Sequence, residues 1–289
     1  MLRSQPPVTL WAVPFFAGSI ALEIFLLGRT RRAGRVKGYE WRDAMASISM
    51  GIVSLVVGIG LAAAGLALSL VAWRFRVGDL GTGVTAWVVA LVAWDFSYYW
   101  NHRAGHRIRL LWANHVQHHS SERYNLSTAL RQPVTSVNEL AFFPVLCVFG
   151  LRPPIVFVAG GINLVYQFWI HTEAVGRLPR PVEFVFNSPS HHRVHHGSNR
   201  EYLDRNYGGI LILWDRLFQT FEAEVAPVRY GLVHDIKTTN LLVIAGHEYL
   251  ALTRAVKATP GIGGKVLRLV MPPGWEPARA QVVGAPVTR

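Results

Sequence analysis

Nine of the twelve histidines stand in a pattern that forces distant parts of the chain together. His102 and His106 are four residues apart; His115, His118 and His119 follow at i, i+3 and i+4, and His192, His195 and His196 repeat that spacing. On a helix, separations of three and four put side chains on one face, within reach of a common point. Two adjacent histidines with a third one turn earlier can therefore serve two metal ions. His171, at the end of an apolar stretch, adds a ninth. A single i, i+4 pair is usually incidental, but three clusters are not. Imidazoles gathered without a metal leave donors and acceptors unmet and repel one another once protonated. Eight or nine imidazoles exceed what one tetrahedral zinc takes, so a dinuclear site is expected; imidazole by itself suits Zn, Fe, Cu and Ni alike.

The rest of the chain is written for a bilayer. Half of it (51%) is hydrophobic and 16% charged, against roughly a quarter charged in soluble domains. A helix needs about 20 apolar residues to cross the hydrocarbon core. Five stretches meet or approach that length: Val8–Leu27, Ala44–Trp73, Val84–Trp100, Val134–Gly150 and Ile155–Ile170. The first is interrupted by Glu23, lacks a small-residue cleavage site and reads as a retained anchor. The second carries Gly51, Gly58, Gly60 and Gly65, which would let neighbouring segments approach closely. Arg152-Pro153-Pro154 reads as a tight hairpin between the last two. The sole cysteine, Cys147, lies in an apolar run and excludes an intrachain disulfide.

The formal charge of +12 is concentrated beside apolar spans, and no nucleic-acid motif accompanies it, so nucleic acid is not an expected partner. Arg29, Arg31, Arg32, Arg35, Lys37 and Arg42 put the first loop in the cytoplasm. Counting spans onward brings every histidine motif to that face, with Arg74 and Arg76 outside against the rule. The expected fold is all-α: an integral membrane helical bundle of four to five spans with a cytoplasmic histidine-rich helical cap. Residues 1–83 would be anchor spans, 84–235 the catalytic unit, and 236–289 an interfacial helix (Asn240–Val256) followed by a loosely ordered basic tail with Pro272, Pro273, Pro277 and Pro286.

Supporting polar residues are also legible. Asp95 precedes His102 by seven residues on the same helical face, inside an apolar span where a carboxylate is costly without a partner; orienting a ligand histidine through its outer N–H is its expected role, with a polar contact between helices as the alternative. Asn163, Gln167 and His171 form a polar stripe spaced by four. Asp204, Asn206 and Asp215 are further candidates for fixing ligand tautomers, Asn206 equally for a turn before Gly208-Gly209; Tyr98, Tyr99, Trp100, Tyr124 and Trp169 are candidates for lining a lipid pocket and equally for anchoring at the membrane interface. His191 competes with His192, which reproduces the spacing of the first triplet; His234 and His247 fit no pattern.

These motifs together resemble the fatty acid hydroxylase/sterol desaturase superfamily, most closely its glyceryl-ether branch. The resemblance is carried by Asp95-Phe-Ser-Tyr-Tyr-Trp-Asn-His102-Arg-Ala-Gly-His106, Asn114-His115-Val-Gln-His118-His119, Tyr166-Gln-Phe-Trp-Ile-His171, Asn187-Ser-Pro-Ser-His191-His192-Arg-Val-His195-His196, and Asn206-Tyr-Gly through Trp214-Asp215, over roughly residues 90–235. It implies two iron ions held by His102, His106, His115, His118, His119, His171, His192, His195 and His196, with O2 as oxidant and a lipid as substrate. Two positions depart from the pattern: Arg107 stands where an acidic residue often follows the second histidine, and Gln219 where glycine is common. Turnover would need two electrons per O2. No dinucleotide fingerprint or haem motif is present, so a separate donor (a ferredoxin, a cytochrome or a reduced pterin) is expected. Hydroxylation and desaturation both fit such a centre. A membrane zinc hydrolase fits less well, because no His-Glu-x-x-His is present. The expected location is a bacterial inner membrane.

Overall fold

The computed structural model describes residues 8–31 and 37–277. Among them there is no strand, only two isolated bridges, Phe186 with Leu211 and Gly197 with Tyr230. The helices in chain order are α1 (Val8–Trp11), α2 (Val13–Arg31), α3 (Trp41–Arg74), α4 (Val84–Arg107), α5 (Arg109–His119), α6 (Glu139–Phe142), α7 (Pro153–Trp169), α8 (Arg180–Val185), α9 (Pro189–His195), α10 (Leu213–Leu217), α11 (Leu241–Ala258) and α12 (Ile262–Val270), with 3₁₀ turns at Thr128–Leu130 and Pro144–Cys147.

Helix α3 follows most directly from composition. Glu40 caps it, accepting from the Arg42 and Asp43 amides at 3.2 and 2.7 Å. Its 34 residues reach about 50 Å at 1.5 Å per residue. Among the described residues it is the one helix long and apolar enough to cross a membrane, and only 6% of its apolar window is buried. A helix apolar all round and packed on so little protein has the character of a membrane span. The first expected span is found as α1 and α2, broken at Ala12. The third runs past Trp100 to Arg107 as α4, so that His102 and His106 ride on its last turns. The fifth is α7, which starts directly at Pro153, where a missing N–H costs nothing.

The fourth expected span, Val134–Gly150, is not a continuous helix. Pro144 has no N–H to give, and Gly150 turns the chain at φ +88°. The segment instead runs beside α3 as short turns. The Leu130 carbonyl approaches Gly51 so closely that a Cβ there would meet it at 2.7 Å, Leu140 packs near Gly65, and the Val77 and Leu80 amides donate to Val148 and Gly150 carbonyls at 2.9 and 3.0 Å. Arg152 then closes on Asp79 with two bonds of 3.0 and 2.9 Å. Of the four glycines expected to admit neighbours, Gly51 and Gly65 do so; Gly58 and Gly60 face open space.

The core between α4, α7 and this segment is Ala86, Ala90, Trp94, Phe143, Leu146, Cys147, Ile155, Val156 and Ala159. Trp94 stacks on Phe143 at 4.1 Å, and Gly160 leaves room for the indole. The expected interfacial helix is α11, capped by Asn240. The stretch after it is more ordered than expected through residue 277. Gly261 turns the chain at φ +70° into α12, and the buried Arg268 ties α12 to Thr259 at 3.1 Å and to the Trp275 carbonyl at 2.9 Å. Pro286 lies outside the described residues, as do Arg32 and Arg35 of the basic loop.

Candidate metal centre

Four pieces of chain converge at one end of the bundle. The last turns of α4 bring His102 and His106. Ile108, extended at φ −116°, redirects the chain into α5, which carries His115, His118 and His119. His171 follows α7, and α9 with its C-cap brings His192, His195 and His196. All nine predicted histidines meet there, in two groups: His102, His106, His115, His119 and His195 in one, and His118, His171, His192 and His196 in the other. Within each group the available nitrogens lie within 4.8 Å of one another. Each triplet is shared between the groups: α5 gives His118 to one and His119 to the other, α9 gives His192 and His196 to one and His195 to the other. His191, His234 and His247 belong to neither.

The ring nitrogens are crowded: 2.9 Å between Nε2 of His102 and His115, 3.3 Å between His115 and His119, 3.2 Å between His118 and His171, 3.0 Å between His171 and His192. Four outer nitrogens are settled by carbonyls, to which Nδ1–H of His102, His118, His171 and His195 donate: Tyr207 (2.8 Å), Arg131 (3.1 Å), Gln167 (2.8 Å) and Arg205 (2.8 Å). A carbonyl only accepts, so the proton sits on Nδ1 and the Nε2 lone pair faces inward. Nε2 of His106, His195 and His196 and Nδ1 of His192 are buried with no partner in the protein, an arrangement costing about 1–3 kcal/mol per atom in a core held by hydrogen bonds alone. An all-imidazole donor set, with lone pairs converging in two groups and partnerless inner nitrogens, fits a pair of borderline transition-metal ions. Burial holds the imidazoles neutral, the form that ligates. It pushes His118 down to about 4, partly offset by its bond to the Arg131 carbonyl, and His115, His119, His171, His192, His195 and His196 well below their ordinary value.

Asp95 corrects an expectation. It touches no histidine; its carboxylate accepts from Asn163 Nδ2 (2.7 Å), the Ile210 and Leu211 amides (2.7 and 3.0 Å) and Trp214 Nε1 (2.9 Å). Asp215 likewise accepts from the Tyr207 and Gly208 amides (2.8 and 2.7 Å) and from Thr220 (2.6 Å). Burial pushes it up to about 6. Asn206 bonds the His191 and Glu222 carbonyls. Asp204 lies 3.8 Å from His106 Nδ1 and ion-pairs Arg107 at 2.8 Å, so a carboxylate does stand near the second histidine, delivered from another loop. The Asn163–Gln167–His171 stripe holds as a chain: Gln167 donates to Asn163 at 2.5 Å, and His171 to the Gln167 carbonyl.

Of the five aromatics expected at a pocket, Tyr98 and Tyr124 reach the histidines, at 5.2 Å from His102 and from His196. Tyr99 is buried against Thr220, whereas Trp100, exposed, packs on Phe218 and the half-buried Trp169 on Tyr166. Trp112, 5.2 Å from His106, was missed in the sequence; Arg131, buried and held by Asp43 (2.6 Å) and Ser47 (3.0 Å), belongs to the stretch that carries the resemblance and had no role assigned. Glu23 had a readable signal, a carboxylate inside an apolar helix. It accepts from Tyr39, from the Leu126 amide at 2.7 Å and from Thr172, tying α2 to the chain beside His171.

Comparison with known proteins agrees with this geometry. Residues 87–220 match the family model described as "Fatty acid hydroxylase". The chain is 38% identical to alkylglycerol monooxygenase of Homo sapiens over 97% of its own length and 63% of that protein's. It is 40% identical to the Danio rerio protein of the same name, over 94% of the chain and 60% of the relative. A more distant relative is the ornithine lipid hydroxylase OlsE of Rhizobium tropici, 28% identical over 48% of this chain and 43% of that one. The chain thus spans about three fifths of the length of the first two relatives. No solved structure matches it.

Proposed function

Because residues 87–220 match the fatty acid hydroxylase family model, we propose that the chain is a multi-pass membrane oxygenase that hydroxylates a lipid C–H bond with O2 at a pair of iron ions. The observation that carries this reading is the convergence of nine imidazoles in two groups, with the outer nitrogens of four of them fixed by carbonyls. His102, His106, His115, His119 and His195 would hold one ion, and His118, His171, His192 and His196 the other. Bound iron would supply the O2 activation that amino-acid side chains lack.

The protein's own part is geometric and electrostatic. Carbonyls of residues 131, 167, 205 and 207 hold four rings in one tautomer, so that no reorganisation is needed when ligand bonds form. Burial keeps bulk water away and the imidazoles neutral. Tyr98, half-buried on α4 and stacked near Trp94, stands 5.2 Å from His102. Electrons come from a separate donor. The names borne by the relatives favour hydroxylation over desaturation. Residues 1–83 act as anchor, 84–235 as the catalytic unit and 236–289 as an interfacial helix with a basic tail. The Lys37–Arg42 loop lies at the histidine end, where Ser121 bonds Asp43 at 2.6 Å and Arg123 bonds the Lys37 carbonyl at 3.2 Å. By the charge rule that end faces the cytoplasm.

Metal analysis and product analysis together test this. Full-length protein purified in mild detergent should hold about two iron ions per chain, in line with two imidazole sites, and with reductant, O2 and membrane lipid should yield a product carrying one labelled oxygen atom from O2. Zinc in place of iron, or a new double bond with no oxygen gained, would overturn it.

A further inference from the structure

The segment from Arg205 through Trp214-Asp215 gives the histidines the ring of Tyr207, at 5.2 Å from His106, and no metal-ligating side chain. Beyond that ring it supplies backbone. Nδ1 of His195, on α9, donates to the Arg205 carbonyl, and Nδ1 of His102, on α4, to the Tyr207 carbonyl, each at 2.8 Å. Both rings belong to the five-histidine group. Three consecutive residues therefore address two rings of one group from two different helices, and none in the other group, whose His118 and His171 bond carbonyls 131 and 167.

Asn206 sits between the two carbonyls at φ +56°, after Asp204 at +60°. In the left-handed region a residue other than glycine is strained, and asparagine tolerates it best when its side chain bonds locally. Here the fully buried amide donates to the His191 and Glu222 carbonyls at 3.0 and 2.8 Å and accepts from the Glu222 amide at 2.9 Å. Its backbone N–H donates to the Thr220 carbonyl at 3.0 Å. On the far side Asp215 takes both the Tyr207 and Gly208 amides, and Asn187 bonds the Gly208 carbonyl at 2.6 Å. A Cβ on Gly208 would lie 2.6 Å from the Leu211 carbonyl. So firm a hold is out of proportion to an exposed connecting loop.

We propose that Asn206 and Asp215 are positioning residues for one metal only: they hold residues 205–207 so that two carbonyls fix the tautomer and plane of His102 and His195, and the five-histidine site depends on them while the four-histidine site does not. This rests on the ligand reading above. The test is metal titration of the metal-free full-length protein with Co2+, followed by visible absorption and atomic stoichiometry, in wild type, Asn206→Ala and Asp215→Asn. Wild type should load two ions. Asn206→Ala should bind one ion as before and the second roughly 10–100-fold more weakly, the usual loss when an outer partner of a ligand histidine is removed. Asp215→Asn should shift the same ion, and with both amides of 207 and 208 competing for a single side-chain oxygen it provides the answer if Asn206→Ala fails to fold. Asn206→Gly, which keeps the backbone conformation and loses the side-chain bonds, should fall between. Equal weakening of both ions, or two unaltered ions in a folded variant, overturns the proposal. A wild type that binds no ion overturns the ligand reading itself.

Discussion

Asp95→Asn separates two roles that a buried carboxylate near a metal site can play. If Asp95 oriented a ligand, the substitution would matter only when metal binds. The structure gives it a different task, accepting from Asn163, the 210 and 211 amides and Trp214 with 1% of its surface exposed. Asparagine offers one oxygen where there were two, and turns an amide NH2 toward N–H groups already seeking an acceptor. Two buried donors lose their partners, at about 1–3 kcal/mol each, so the folded state should lose roughly 2–6 kcal/mol before relaxation. With shifts of about 2–4 °C per kcal/mol for chains of this size, the thermal midpoint should fall by the order of 10 °C. The assay is thermal unfolding of metal-free protein in detergent, followed by tryptophan fluorescence. The loss must be present without metal, since every bond involved is made by the protein alone. An unchanged midpoint in the metal-free variant would refute the reasoning and return Asp95 to a ligand-orienting role.

Four further outcomes follow from the same coordinates. His118→Ala and His195→Ala should each abolish lipid turnover while leaving helix content unchanged by circular dichroism; residual turnover in either counts against the ligand assignment. Gly51→Ala should destabilise by about 1–3 kcal/mol, the cost of overpacking, because its Cβ would lie 2.7 Å from the Leu130 carbonyl, whereas Gly58→Ala, facing open space, should be neutral in the same unfolding assay. Gln219→Gly should stabilise by about 0.5–1 kcal/mol, since residue 219 sits at φ +60° where a side chain is strained. Finally, metal-free protein should lose stability in acid. His118 has its folded value lowered from about 6.5 to about 4, so the unfolded chain binds the proton first; its contribution is full above pH 6.5 and is lost as pH falls toward 4, by about 3 kcal/mol at 1.36 per unit. The other buried imidazoles act in the same sense, and unfolding midpoints across that range would show it.

The histidine spacing was legible because it states geometry directly: residues at i, i+3 and i+4 on one helix must share a face, and two such helices can share two ions. All nine meet, and the division of each triplet between two groups follows from the spacing. The expected apolar stretches are continuous helices in α3, α4 and α7, of which α3 alone among the described residues is long and apolar enough to cross a membrane, and the stretch at 134–150 is not a continuous helix. There hydropathy measures only how apolar a segment is, while Pro144 and Gly150 decide whether it can be a helix. The glycines of α3 read alike in sequence, yet only Gly51 and Gly65 meet a neighbour, because which face of an all-apolar helix turns inward is set by the partner and not by its own periodicity.

Most of the supporting residues were misread for one physical reason. Carboxylates and amides are visible as letters, so Asp95, Asp204, Asn206 and Asp215 stood as candidates for holding a ligand imidazole, and of these Asp204 alone stands beside one, 3.8 Å from His106 Nδ1. The four acceptors found are main-chain carbonyls, and every residue type carries one. What sequence can encode is the means of holding such a carbonyl in place: an asparagine that accepts a left-handed conformation, glycines where a Cβ would collide, and buried carboxylates that collect amides. Asn206, Gly208, Gly209, Asp95 and Asp215 are that set. The acidic residues flagged beside the histidines do serve the rings, one covalent step removed, through the shape they impose on the chain between residues 205 and 211.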